Sequence, residues 1–325
     1  MKTIFVINPK AGKKNNIEKL IEKVNAASEK LCADVEIYKT VSAGDATRFV
    51  RECCEKEPTT RFIACGGDGT LCEVLNGAIA FEEAQVGVLP IGTGNDFVKN
   101  FDADFSDIEA QIVSGTEKCD VIRYTTIGHD GKEKTVYCAN MLNIGFDCNV
   151  ADVMADMKKK PFVSGSLAYI LAIAVILVKK KGADLEIELD GKTIHKGKLL
   201  LTSIANGRFC GGGVMSNPGA SVHDGLMNVN VVNNVSRLKF IRLFPYYKKG
   251  THLSLSGIDK VIGNFSCKTM TIKPQGGIMR ICTDGEVESA GETTIEIIHD
   301  AYNFVVPKSS LVCGATENKR ENQTV

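Results

Sequence analysis

Apolar residues along the first third of the chain recur with two alternating periods. Residues 3–8 form a short run of β-forming side chains. Ile17, Leu20, Ile21, Val24 and Leu31 then recur at helical spacing behind a cap at Asn15 or Asn16. Residues 35–38 read as a second strand and 45–56 as a second helix. A third strand over 61–65 runs into Gly66, a helix follows over 70–81, and a fourth strand covers 86–90. Strands alternating with helices of this length predict a parallel sheet covered on both faces. Ligands gather at the carboxyl ends of such strands, and each glycine-rich turn of this region lies at such an end.

After about residue 120 the texture changes. Turn signals at Asp130-Gly131 and Asp190-Gly191 separate hairpin-like runs. The runs 136–144, 185–189, 198–205, 226–232 and 270–272 predict a mainly antiparallel β domain, interrupted by helices at 166–178 and 236–247. A last strand over 294–298 precedes a segment, 301–312, that can return to the first domain. The expected division is an α/β domain over 1–120 completed by 301–316, a β-rich domain over 121–300, and a polar, frayed tail over 317–325.

Composition narrows the class. A chain of 325 residues implies two domains. Lysines and arginines number 39, as do aspartates and glutamates, and this balance argues against a nucleic-acid partner. The chain has 12 cysteines, but no Cys-x-x-Cys pair and no His-x-x-x-His spacing, so a structural zinc site is not expected. Cys65, Cys138 and Cys282 sit in apolar runs as small buried hydrophobes, and the first residues carry no signal-peptide pattern. A reducing cytoplasm follows. The apolar run 166–178 is too short to span a bilayer, since a helix of that length covers roughly 20 Å against about 30 Å of hydrocarbon. By length it is a buried core helix, while lysine triplets at 158–160 and 179–181 also let it lie against a lipid surface.

The candidate chemistry lies in three turns. Gly66-Gly67-Asp68-Gly69-Thr70 ends a strand and opens a helix, where glycines admit a phosphate and the helix N-terminus offers free amides. Asp68 would repel a phosphate unless a cation bridges them, which implies Mg²⁺. Asn8-Pro9-Lys10-Ala11-Gly12 ends the first strand, and Ile91-Gly92-Thr93-Gly94-Asn95-Asp96-Phe97 follows the fourth. Together the three turns predict one crevice. Neither the P-loop pattern nor a Gly-x-Gly-x-x-Gly opening the first helix is present. Far along the chain, Asp284-Gly285-Glu286 is a turn whose carboxylates can face the phosphates or only solvent. His223 and His252 have no evident partner, and Gly211-Gly212-Gly213 reads as a flexible loop.

These blocks resemble the diacylglycerol kinase catalytic-domain family, which includes bacterial soluble lipid kinases and the sphingosine and ceramide kinases. The resemblance rests on Asn8-Pro9-x-Ala11-Gly12, on Gly66–Thr70 continuing into Glu73-x-x-Asn76-Gly77, on Pro90-x-Gly92-Thr93-x-Asn95-Asp96-Phe97, and on Thr283-Asp284-Gly285-Glu286. The Gly-Gly-Asp-Gly-Thr block alone is shared with NAD kinases and phosphofructokinases. The resemblance implies a kinase of NAD kinase/diacylglycerol kinase-like fold that uses ATP. Asn8, Pro9, Lys10 and Thr40 would line the nucleotide pocket. Gly66, Gly67, Asp68, Gly69, Thr70, Leu71 and Cys72 would cradle the phosphates, with Asp68 acting through Mg²⁺. Thr93 and Asn95 would close the other side, and Glu286 would take the proton of the lipid hydroxyl. Ser221, Asp224 and the Leu226 carbonyl would hold a structural Mg²⁺. Family members often carry a second acid after that Asp-Gly, where this chain has Asn228.

The expectation is therefore a cytoplasmic lipid kinase, transiently at the inner face of the membrane, that phosphorylates diacylglycerol or a related lipid alcohol in the cleft between two domains. Its partner would be a lipid presented at a membrane surface, with no nucleic acid and no stable transmembrane segment. The oligomeric state stays open, a homodimer included. The rivals are a kinase of a sphingoid base or a soluble NAD-like acceptor, and a non-catalytic nucleotide- or lipid-binding protein. The block at 92–97 speaks against the NAD-like acceptor, and the presence of both Asp68 and Glu286 against the non-catalytic protein.

Overall fold

A computed structural model describes residues 1–12, 16–127, 131–150 and 182–308. The apolar run at 166–178 and its flanking lysines lie outside the described residues. The described chain forms two compact units. Of the described residues, the first comprises those of Met1–Thr93 and Phe101–Lys118, together with Tyr302–Lys308. The second comprises Gly94–Asn100 and Cys119–Ala301. Among the described residues no helix is long and apolar enough to cross a membrane.

The first unit is built on a parallel sheet. Its strands are β1 (Thr3–Ile7), β2 (Val35–Lys39), β3 (Arg61–Gly66) and β4 (Gln85–Pro90), in the order β4-β3-β1-β2. The end of β15 (Thr293–Val305) pairs in parallel with β4. Phe5, Ile7, Ile63, Cys65 and Leu89 share one face and pack on Leu20, Val24 and Ala27 of α1 (Asn16–Leu31) and Ile112 of α4 (Ile108–Val113). The alternate residues Ile4, Val6, Phe62 and Ala64 are also buried, so both faces are covered, as parallel sheets require. On the second face α3 (Asp68–Ala78) packs on β3 and β4, with α2 (Asp45–Lys56) beside it. A Cβ on Gly77 would fall 2.7 Å from the Thr47 carbonyl oxygen, so glycine there lets α2 and α3 pack closely.

The second unit is antiparallel. Its strands include β5 (Thr116–Ile127), β6 (Glu133–Cys138), β7 (Met141–Gly145), β8 (Ala183–Leu189) and β9 (Lys192–Ala205). They continue with β10 (Met227–Asn233), β11 (Ile262–Cys267), β12 (Thr269–Pro274), β13 (Met279–Thr283) and β14 (Glu286–Ala290). β9 organises the sheet: its first half pairs with β8, and its last residues pair with β7 on one side and β10 on the other. The expected run 136–144 is two strands, because Ala139 and Asn140 break out between β6 and β7. Helix α5 (Arg237–Lys249) is capped by Ser236, whose Oγ accepts the Lys239 amide at 3.2 Å, and ends at Gly250. Parallel strands early and antiparallel strands later bear out the fold class read from periodicity.

Arg61 holds the base of the first unit. It is 3% exposed, and burial lowers its pKa. Its guanidinium donates to the carbonyls of Gln111 (2.8 Å), Ile112 (2.6 Å) and Ser114 (2.8 Å), and to Gln85 Oε1 at 2.9 and 2.7 Å. Arg61→Met should therefore cost about 3–5 kcal/mol, because it strands several buried acceptors at once. The measurement is the urea midpoint of the full chain, and a loss below about 1 kcal/mol would contradict the role given to Arg61.

Candidate active site

The three turns named from sequence meet at the carboxyl edge of the first sheet. The Asn8 amide donates to the Cys65 carbonyl (3.1 Å), which fastens the end of β1 to the end of β3. The Asn8 side chain works in both directions. Its Oδ1 accepts the Lys10 amide at 2.9 Å, and its Nδ2 donates to Thr70 Oγ1 at 3.2 Å. The Gly66 carbonyl accepts the amides of Ile91 and Gly92, each at 3.0 Å, so the turn after β4 is pinned to the turn after β3. A Cβ on Gly66 would fall 2.1 Å from Thr70 Oγ1, so this close approach admits only glycine. Thr40, 8% exposed, donates its amide to the Ile7 carbonyl at 2.9 Å and closes the edge beyond β1.

The helix α3 starts at Asp68, two residues earlier than the periodicity of its apolar face predicts. Gly67 is extended and serves as the N-cap, so Asp68 and Gly69 enter the first helical turn. The first amides of α3 therefore cluster beside the turns after β1 and β4. Leu71 is buried behind this end and Cys72 is half-buried. Asp45, the first residue of α2, accepts the Val41 amide (3.0 Å), the Tyr38 hydroxyl (2.9 Å) and the Arg48 guanidinium (2.6 Å). The Val41 amide, followed by Arg48, holds its carboxyl below the usual range and fixes the backbone just after Thr40.

Glu73, Asn76 and Gly77 belong to packing. Glu73 Oε2 accepts the Ala46 amide at 3.2 Å and Asn76 Nδ2 donates to the Cys72 carbonyl at 2.8 Å.

Thr93 ends the first stretch of the first unit, and Asn95 belongs to the second, at φ 51° in the left-handed region that asparagine tolerates. Its neighbour Asp96 is a residue whose role the sequence reading missed. It is 5% exposed, and its carboxylate accepts Lys99 Nζ at 2.5 Å and the Gly212 amide at 2.7 Å. Gly211, Gly212 and Gly213 all have positive φ, and the Gly212 amide ties this glycine run to the Asp96 carboxylate. Arg208 adds bonds to the Asn100 side chain and carbonyl at 2.8 and 3.2 Å.

Glu286 opens β14 and is exposed. The two residues before it, Asp284 and Gly285, have φ of 47° and 98°, the geometry of a tight two-residue hairpin. Asp284 does not face solvent alone: its Oδ1 accepts the Met141 amide at 3.0 Å, which ties the hairpin to the start of β7.

Ser221 and Asp224 lie in one loop, where Ser221 Oγ accepts the His223 amide (3.3 Å) and Asp224 Oδ1 accepts the Leu226 amide (3.0 Å). The buried Asp120 carboxylate supports this loop through the Gly225 amide at 2.7 Å, and is itself paired with His299 Nδ1 at 2.7 Å. That pairing raises the His299 pKa. Asn228 is committed elsewhere. Its Oδ1 accepts the Asn217 and Asn264 side-chain amides at 3.0 and 3.1 Å, inside a buried network with Asn230.

Among the described residues, the second unit holds an apolar cavity of about 60 Å³. Phe146, Leu200, Leu201, Val261 and the inner face of α5 line it, together with Asp147, Tyr247 and His252. His252 is fully buried, and neither ring nitrogen has a hydrogen-bond partner. The Tyr246 carbonyl acts on the ring, but it accepts the Thr251 amide at 3.0 Å. Burial lowers the His252 pKa, so the ring is neutral near pH 7. The Tyr247 ring sits 4.7 Å from the His252 ring. Burial pushes the Asp147 carboxyl up to about 6. The cavity is joined to the Glu286 hairpin through β7, which pairs with β13 and runs directly into Phe146 and Asp147.

Comparison with known proteins gives a consistent picture. Residues 2–124 match the diacylglycerol kinase catalytic domain, and residues 140–306 match the YegS C-terminal NAD kinase beta sandwich-like domain. A Staphylococcus aureus (strain MSSA476) protein described as "Putative lipid kinase" is 27% identical over 297 residues, covering 89% of this chain and 92% of its own. Among solved structures, a diacylglycerol kinase from Bacillus anthracis (strain Sterne) superposes with a TM-score of 0.66 at 20% identity, over 94% of this chain and 96% of its own. Yeast NADH kinase superposes with a TM-score of 0.51 at 12% identity, over 100% of this chain and 89% of its own. At these identities the structural likenesses establish the fold.

The cavity acid has a consequence for stability. A carboxyl whose pKa is higher folded than unfolded favours the folded state while protonated, and that contribution is lost as pH rises from the ordinary 3.8 through about 6. Asp147→Asn should remove this loss. The variant should match the wild type near pH 4 and exceed it at pH 8, by at most about 3 kcal/mol for a shift of roughly two units. Urea unfolding across that range measures it, and a gain equal at both pH values would refute the buried-acid reading.

Proposed function

The chain belongs to the diacylglycerol kinase family, with a YegS C-terminal NAD kinase beta sandwich-like domain as its second half, and from that premise we propose that it transfers the γ-phosphate of ATP to the hydroxyl of diacylglycerol or a related lipid alcohol. The observation that carries the reading is the joined edge of the first sheet. There the Gly66 carbonyl, the Asn8 side chain and the start of α3 hold three turns against one another. Such an edge offers backbone amides and the positive end of a helix to phosphate groups. Asn8, Pro9, Lys10 and Thr40 would take the nucleotide, residues 66–72 its phosphates, and Thr93 and Asn95 would complete the site.

Asp68 is a carboxylate at a place that otherwise attracts anions. Mg²⁺ held by Asp68 and the phosphates would neutralise the charge of the transferred group. A structural Mg²⁺ would take the Ser221 hydroxyl, the Asp224 carboxylate and the Leu226 carbonyl, all hard oxygens suited to it.

The second unit would supply the acceptor half. Glu286, exposed at the start of β14 beside a turn that Asp284 ties to Met141, would accept the proton of the attacking hydroxyl. The apolar cavity beyond β7 favours an acceptor with a hydrocarbon portion over a soluble dinucleotide. The catalytic residues proposed are thus Asp68 and Glu286.

Glu286→Gln should lower turnover by about 10²–10⁴-fold while ATP affinity stays close to wild type, and Asp68→Ala should abolish transfer. The assay is labelled ATP with a panel of lipid alcohols and NAD, alongside direct ATP binding. Full activity in Glu286→Gln would remove it as the base. Phosphorylation of NAD in preference to every lipid would overturn the acceptor class.

A further inference from the structure

We propose that the outer face of helix α5 is a docking surface for a membrane carrying anionic phospholipid. The helix has two distinct faces. Phe240, Leu243, Phe244 and Tyr247 are half-buried and line the cavity. At helical spacing these four occupy one side. The remaining side is exposed, and it is not the polar surface that an ordinary amphipathic helix presents. Leu238 is 75% exposed, Ile241 53% and Tyr246 46%. They account for three of the exposed large hydrophobic residues of the described chain.

The same exposed side carries Arg237, Lys239, Arg242, Lys248 and Lys249. No acidic residue occurs from the Ser236 cap to the Gly250 cap. On a chain whose formal net charge is zero, this is a concentrated local excess of positive charge. Large apolar side chains interleaved with long cationic ones suit the interface of a bilayer. Leucine and isoleucine enter the acyl boundary, tyrosine sits at the headgroups, and lysine and arginine stems reach back to lipid phosphates. A nucleic acid would use the cations and leave Leu238 and Ile241 without a role. An acidic protein would match the charge, but Leu238 and Ile241, three residues apart and therefore neighbours on the helix surface, with Tyr246 among the cations, match the layered chemistry of a bilayer interface.

Pro245 fits the same reading. It lies within α5 on the exposed side, and it has no amide to donate to the Ile241 carbonyl one turn back. Ile241 and Pro245 both belong to the exposed side, so the bond that proline cannot make lies away from the side chains that line the cavity.

The inference goes beyond the proposed reaction and is tested without ATP or turnover, so its failure leaves the lipid kinase reading standing. The measurement is co-sedimentation of the full chain with vesicles of phosphatidylcholine alone and of phosphatidylcholine mixed with phosphatidylglycerol. Wild type should partition onto the mixed vesicles at least roughly tenfold better, and added salt should erase most of the difference. Reversing Lys239, Arg242 and Lys249 to glutamate should lower that partition roughly a hundredfold or more. The milder glutamine triple variant reads the same effect if the glutamate variant unfolds. The double variant Leu238→Ser/Ile241→Ser should lose the portion of binding that survives salt. Equal partition of the wild type onto both vesicles overturns the proposal. So does unchanged binding by the glutamine variant, or loss of binding only when the lysines at 158–160 and 179–181 are reversed.

Discussion

A parallel sheet delivers every strand to the same edge, and the backbone groups left there must find partners. In this chain the Gly66 carbonyl meets that requirement twice over, taking the amides of both Ile91 and Gly92 at 3.0 Å. One oxygen at the end of the central strand thereby fixes the turn that follows its neighbour. Asn8 does the same on the other side, through its own amide to Cys65 and its side chain to Thr70. The candidate phosphate site is thus a consequence of satisfying backbone hydrogen bonds at one sheet edge. The glycines matter because a side chain at Gly66 would collide with Thr70, the residue that receives the Asn8 bond.

Much of this was legible in the sequence, and the reasons are local. The helix over 45–56 is legible at both ends, and the structure has it at Asp45–Lys56 with Ala46, Val50 and Cys54 buried at helical spacing. The start of α3 is hidden because Asp68 and Gly69 enter the first turn without contributing to the buried face, which begins at Thr70 and Leu71. The break between β6 and β7 was hidden in an unbroken apolar run. Glu73 and Gly77 look like site residues because they adjoin the glycine-rich turn. In the structure Glu73 accepts an amide of the first turn of α2, and Gly77 lets two helices approach. Spacing along a chain reports proximity to a site, whereas only coordinates separate a ligand from a strut.

The residues that sequence could not place are those whose partners lie far along the chain. Asp96 looked like one more polar residue in a block, and its partner Gly212 is 116 residues away. His252 looked like a lone histidine, and it proves to be wholly buried beside Tyr247 in the wall of an apolar cavity. Asn228 stood out as a departure from an acid. Its environment explains the amide: Asn217 and Asn264 both donate to its oxygen, and its backbone carbonyl accepts from Asn217 as well. An acid would keep the acceptor role, but would place an uncompensated charge among neutral amides in a buried network.

That network and the cavity show two ways in which the second unit handles buried polarity. Around β10, asparagines face one another and nearly every group is paired. Around α5, a carboxyl, a phenol and an imidazole face apolar walls, and the carboxyl pKa rises while the imidazole pKa falls. Both shifts favour the neutral form, as expected when desolvation outweighs any nearby charge. A well-paired network specifies a fold, and it gains nothing from a ligand. Around α5 the neutral form is instead held by burial, and the His252 imidazole sits fully buried among apolar side chains. The paired network lies around β10, and the apolar cavity lies beyond β7, the strand whose first amide ties down the Glu286 hairpin.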